Sequence, residues 1–193
     1  MSDVVLFPSV LGVRPGITAL AARLGGGGHR VQVVDWVGRV YDDYGPAMEV
    51  ADRLTMADRY ALVDEAVAGL PAGFVAVGMS AGGAMAQAAA LRHPVSACVV
   101  LGGAVALHWF DADVWPAGVA LQLHGALDDP WREADQDAVG REVHLGHKEP
   151  RMPIEGLGHL LLGRGLQVVV DLLADAGGEL LGQRHDVQSA GKG

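Results

Sequence analysis

The sequence predicts an α/β protein built on a doubly wound, mainly parallel sheet of about six strands. Three observations lead there. Short apolar runs rich in β-branched residues alternate with segments of helical periodicity along the chain. The opening strand, helix and strand fit within about thirty residues, the size of a βαβ unit. The 193 residues, half of them apolar and 19% charged, suit one globular domain with a sizeable core.

Val4-Val5-Leu6-Phe7 is the first strand, ending at Pro8-Ser9-Val10-Leu11-Gly12. Pro15 stands where a first helical turn begins, and Ile17 to Leu24 reads as an amphipathic helix stopped by Gly25 to Gly28. Arg30 to Val34 is the second strand. Residues 35 to 47 read as a loop carrying Trp36, Tyr41 and Tyr44. A helical pattern runs from Ala47 to Leu70, with Thr55 to Asp58 as a cap between two helices. After the turn Pro71-Ala72-Gly73 comes the strand Phe74 to Val77, then Gly78-Met79-Ser80-Ala81-Gly82-Gly83 and an Ala-rich helix. Ala97 to Leu101 is the fourth strand. Residues 104 to 117 read as irregular, with His108, Trp109, Phe110 and Trp115. Val119 to His124 is the fifth strand. A short helix from Trp131 to Val139, a weak sixth strand at Glu142 to Leu145 and a last helix from Leu166 to Leu181 complete a single domain over 1–183. Residues 184–193 are expected to be a frayed tail.

Composition narrows the function. A net charge of −9 without a basic stripe argues against nucleic acid or an anionic membrane as partner. The single cysteine, Cys98, lies in an apolar run and excludes an internal disulfide framework. No basic leader and no apolar stretch of membrane-spanning length are present, so a cytoplasmic protein is expected.

The chemistry centres on Gly78-x-Ser80-x-Gly82, a serine between an apolar strand and an Ala-rich helix. This is the nucleophile-elbow pattern. Where a strand turns at once into a helix, the flanking backbones approach so closely that glycine is required. The helix's first free N–H groups then face whatever the hydroxyl attacks. The glycine content is high, 28 residues, so the five-letter pattern alone is weak; its setting between strand and helix strengthens it.

A serine hydroxyl needs a base, and the base an orienting acid. Elbow enzymes place them in the order serine, acid, histidine. Asp128 follows the fifth strand, and His159 follows the sixth between glycine-rich residues. Asp129 competes as the acid, although with Pro130 next to it Asp129 also fits a helix N-cap. His108 is the rival base. Ala81, directly after the serine, and Val10, after the first strand, are the expected oxyanion-hole donors through their backbone N–H groups. Ser9, Met79, Trp36 and Trp109 are the candidate substrate-facing residues, and Phe110 and Trp115 could line the same pocket; the aromatics fit a core equally well.

These stretches resemble the dienelactone hydrolase family of α/β-hydrolases. VVLFPSVLGVRPGITALAARL is similar to that family's first strand and loop, GMSAGG to its elbow, HGALDDPW to its acid loop and GLGHLL to its histidine loop. The likeness covers most of residues 3 to 175. It implies a trimmed α/β-hydrolase fold with strand order 2-1-3-4-5-6, lacking the first antiparallel hairpin. It also implies a Ser80–Asp128–His159 triad with oxyanion donors at Val10 and Ala81. Two positions depart from the pattern. The namesake enzymes use a cysteine where this chain has Ser80, and a glutamate where it has Ser9, so a plain serine esterase is the expectation. No lid domain is expected, which favours a small or exposed ester. The chemistry needs no cofactor and no metal. Glu142, His144, His147 and Glu149 could instead hold zinc, but with a strand histidine and no cysteine the pattern is poor. A non-catalytic small-molecule binder on the same scaffold is the other alternative. A nucleotide-binding domain fails for want of G-x-G-x-x-G or a P-loop lysine.

Overall fold

A computed structural model describes residues 1–124. Five strands form one sheet in the order β2-β1-β3-β4-β5. They are β1 (Asp3–Phe7), β2 (Arg30–Val33), β3 (Phe74–Met79), β4 (Val95–Leu101) and β5 (Ala120–His124), and every neighbouring pair is parallel. The order agrees with the expected 2-1-3-4-5 over these strands. The expected sixth strand, the helices beyond it and the tail at 184–193 lie outside the described residues.

Helices cover both faces, as a parallel sheet requires. Helix α1 (Pro15–Gly26) joins β1 to β2 and buries Ile17 and Leu24. These two pack with Val4, Leu6, Val75, Val77, Ala97 and Val99 on one face. Helices α2 (Tyr44–Arg53), α3 (Met56–Val67) and α4 (Ala81–Arg92) belong to the other face, whose core includes Val5, Phe7, Ala76, Met85, Cys98 and Val100. The alternation of strand residues between the two clusters is the period of two expected of a pleated strand with both faces buried. Full burial of a side chain such as Phe7 or Leu6 contributes roughly 1.5–3 kcal/mol.

Local signals explain most boundaries. Pro15 occupies the first turn of α1, where its missing N–H has no intrahelical partner to lose. Between α2 and α3, the Thr55 hydroxyl accepts from the Asp58 N–H and the Asp58 carboxylate accepts from the Thr55 N–H, a complete capping box. Helix α2 begins at Tyr44, three residues before the expected start at Ala47. Gly45 and Pro46 are poor formers of a helix interior, yet both lie in the first turn, where a proline breaks no hydrogen bond. Strand β4 begins at Val95, two residues early. The register shifts between Phe74 and Val75, so Ser96 is an extra residue that faces no partner, and its hydroxyl donates to the Gly73 carbonyl at 2.7 Å.

The chain runs from β1 outward to β2, then returns past β1 to β3 and continues through β4 to β5. Strand order therefore reverses between β1 and β3. In such sheets the ligand crevice lies at this reversal, off the carboxyl ends of the strands.

Candidate active site

Ser80 follows the last residue of β3 and is the N-cap of α4. It sits at the carboxyl end of β3, on the β1/β3 reversal. Its backbone, φ 51° and ψ −123°, lies in the region that side-chain-bearing residues avoid. Ser80 and Asp111 are the non-glycine residues with positive φ among those described. Such a conformation costs on the order of 1–3 kcal/mol and persists where the surroundings over-determine it. An N-cap serine ordinarily sits in extended backbone and accepts a hydrogen bond from the helix's first turn. The Ser80 side chain makes no such bond, so its hydroxyl is not spent on capping.

The surroundings explain why this backbone holds. A Cβ at Gly78 would meet the Gly82 carbonyl and lie 2.7 Å from the Gly83 Cα. A Cβ at Gly82 would meet the carbonyls of Phe7 and Pro8. The first contact is strand against helix; the second is helix against the end of β1. Two backbone hydrogen bonds complete the turn: Ser80 N–H to Leu101 O at 3.1 Å, and Gly83 N–H to Ser80 O at 2.7 Å.

The Gly82 contact also brings the loop after β1 beside the elbow. That loop is a tight turn, with Gly12 N–H donating to Ser9 O at 3.0 Å and Leu11 N–H to the Ser9 hydroxyl at 3.3 Å. Val10 is buried, 1% exposed, so its side chain belongs to the core and only its backbone is left for chemistry. Trp36, from the loop after β2, donates its indole N–H to Pro8 O at 2.8 Å and is itself buried, so it braces the same loop from behind. Met79 ends β3, half-buried against the α1 face.

The remaining candidates separate. Phe110 and Trp115 are core residues, whereas Trp109 is 56% exposed on the short 3₁₀ helix Leu107–Phe110. His108, the rival base, is exposed on the same turn, its ring 6.4 Å from that of Trp109. Cys98 is buried in β4, and burial pushes its thiol far above the ordinary range, which removes it as a competing nucleophile. At the other end of α4, Asp64 of α3 accepts from Arg92 at 2.9 Å and lies 2.7 Å from the His93 ring. The Arg92 hydrogen bond, helped by His93, holds the Asp64 carboxyl below the usual carboxylate range. The pair ties α3 to α4 away from the serine. Asp128, Asp129, His159 and the zinc candidates Glu142, His144, His147 and Glu149 lie outside the described residues. Among the described residues no cluster of three metal-ligating side chains occurs, and no helix is long and apolar enough to cross a membrane.

One feature gave little sequence signal. Gln87 is fully buried in α4, and both ends of its amide bond the backbone of Val105 in the loop after β4. A lone amide in the otherwise apolar run Ala84-Met85-Ala86-Gln87-Ala88-Ala89-Ala90 was the available cue.

No family model matches the chain, and no curated protein matches it by sequence. Solved structures do. One is a dienelactone hydrolase-like promiscuous phosphotriesterase, P91, from metagenomic libraries. It is 22% identical with a TM-score of 0.62, over 74% of this chain and 64% of that one. Another is a protein from Xanthomonas campestris pv. campestris assigned as a hydrolase of the alpha/beta superfamily. It is 20% identical with a TM-score of 0.52, over 95% of this chain and 99% of that one. The chain thus spans less than two thirds of the phosphotriesterase's length. At these identities both likenesses establish architecture alone. The chain has an α/β-hydrolase-like fold, with its elbow serine at the strand reversal.

Proposed function

We propose that the protein is a serine hydrolase that cleaves a small ester, lactone or thioester through an acyl-enzyme on Ser80. The Ser80 oxygen attacks the carbonyl while His159 takes the hydroxyl proton. Asp128 fixes the imidazole tautomer and balances its charge. The backbone N–H groups of Val10 and Ala81 receive the oxyanion. His159 returns the proton to the leaving alcohol or thiol, then activates a water that releases the acid. The observation that carries this reading is Ser80 itself: a strained N-cap serine that does not cap, at the strand reversal.

The test is labelling with a fluorophosphonate probe, beside hydrolysis of a short p-nitrophenyl ester, on wild type, Ser80→Ala, His159→Ala, Asp128→Asn and Asp129→Asn. Ser80→Ala abolishes labelling and lowers kcat by roughly 10⁴-fold or more. Of the two aspartate variants, Asp128→Asn carries the large loss. A well-folded wild type that neither labels nor turns over the ester overturns the reading. Because one structural relative is described as a promiscuous phosphotriesterase, a phosphotriester belongs in the same assay. Turnover there lost with Ser80→Ala extends the reading to phosphorus esters.

A further inference from the structure

We propose that Gln87 is a positioning residue, clamping the loop after β4 so that Gly103 holds Ser80 in its strained attacking conformation; this rests on the serine hydrolase reading above. Gln87 is fully buried, and its amide makes two hydrogen bonds to one residue: Nε2 donates to Val105 O and Oε1 accepts from Val105 N–H, both at 2.8 Å. The segment between β4 and Val105 contains two consecutive left-handed glycines, Gly102 at φ 70° and Gly103 at φ 72°. It is held at its start by Ser80 N–H to Leu101 O and by Gly102 N–H to His124 O at 2.6 Å. Gln87 holds its far end.

Between these anchors the loop presses on the elbow. A Cβ at Gly103 would lie 2.6 Å from the Ser80 carbonyl carbon and 2.8 Å from the Ser80 Cα. A Cβ at Gly83, in the first turn of α4, would lie 3.0 Å from Gly103 O. Gly103 is therefore the wall behind Ser80. A backbone at φ 51° stays there when its neighbours leave no alternative. Two adjacent glycines are the least constrained backbone available, so that wall is only as firm as its far anchor.

The experiment compares wild type, Gln87→Met and Gln87→Glu. It reads kcat per fluorophosphonate-titrated serine, KM for the p-nitrophenyl ester, and hydrogen exchange at the Gly83 amide, which bonds Ser80 O. Gln87→Met keeps the side-chain length and loses both bonds. Its kcat falls by roughly tenfold, KM stays within about twofold, and Gly83 exchange quickens while β1 amides do not. Gln87→Glu reproduces the donor-and-acceptor pattern when protonated, and burial raises its pKa. Its kcat relative to wild type at the same pH is near one in acid and declines as pH rises. A merely structural glutamine would change stability without that profile.

Gln87→Met that folds and keeps kcat within about twofold overturns the proposal, as does unchanged Gly83 exchange. If Gln87→Met does not fold, a flat pH profile of the Gln87→Glu ratio overturns it. If wild type itself neither labels nor turns over, the hydrolase reading falls. The clamp is then judged by Gly83 exchange alone: faster exchange in Gln87→Met upholds it, and unchanged exchange ends it.

Discussion

Two glycine clusters look alike in the sequence and do opposite things in the fold. Gly25 to Gly28 close α1, and Gly78, Gly82 and Gly83 surround Ser80. At Gly25, Gly26 and Gly28 an added Cβ would meet nothing within 4 Å. At Gly78 and Gly82 it would run into backbone, and at Gly83 it would lie 2.7 Å from Val100 Cγ1. The first cluster ends a helix in open solvent. The second lets a strand, a helix and the end of β1 converge at one point. The difference teaches that glycine count carries no information about a site; what counts is whether a methyl group has anywhere to go.

The sharpest way to break this comparison is Gly82→Ala. In a helix, glycine to alanine ordinarily stabilises by roughly 0.5–1 kcal/mol. At Gly82 the new methyl meets the Phe7 and Pro8 carbonyls, main-chain atoms of a buried strand end that have no rotamer to adopt. We expect a loss of about 3 kcal/mol or more, read from the midpoint of chemical denaturation. Stability equal to wild type would mean that β1 and α4 separate easily and that Gly82 serves the turn alone.

What was legible follows the same division. The five described strands, α1, the capping box at Thr55 and Asp58, and the elbow rest on local chemistry: apolar runs, a proline at a first turn, a side chain reaching three residues along. Each can be read within about ten residues of sequence. The early starts of α2 and β4 were obscured because Pro46 and Ser96 are locally unfavourable, and first-turn tolerance and a bulge absorb them. The packing of Gly103 against Ser80 and the bond from Gln87 to Val105 join residues 18 or more apart in sequence. Nothing local encodes them. Trp36 carries the same lesson: whether an aromatic lines a pocket or braces a loop is decided by a carbonyl 28 residues away.

A smaller effect separates the strain at Ser80 from its chemistry. Glycine tolerates φ 51° and alanine does not. Both Ser80→Gly and Ser80→Ala should lose fluorophosphonate labelling. Only Ser80→Gly releases the strain, and it should be more stable than Ser80→Ala by about 1 kcal/mol, after the larger entropy loss of glycine on folding. Thermal unfolding of the two proteins side by side measures this. Equal stability would mean that the elbow stores no strain, and the crowding around it would then be packing without conformational consequence. A gain would be the signature of a site held in place against its own backbone preference, as activity often requires.

The smallest effect comes from the open cluster. Gly25 lies in the last turn of α1, is exposed, and does not have the positive φ of Gly28. An alanine there touches nothing and reduces the freedom of the unfolded chain, so Gly25→Ala should stabilise by about 0.5–1 kcal/mol. Gly28, at φ 86°, should not accept the same change, although it has equal room. The Gly25→Ala and Gly28→Ala pair thus separates space from backbone conformation within one run of four glycines. A loss at Gly25 would show that the end of α1 needs a flexible joint, making the open cluster a second functional turn and weakening the contrast with the elbow.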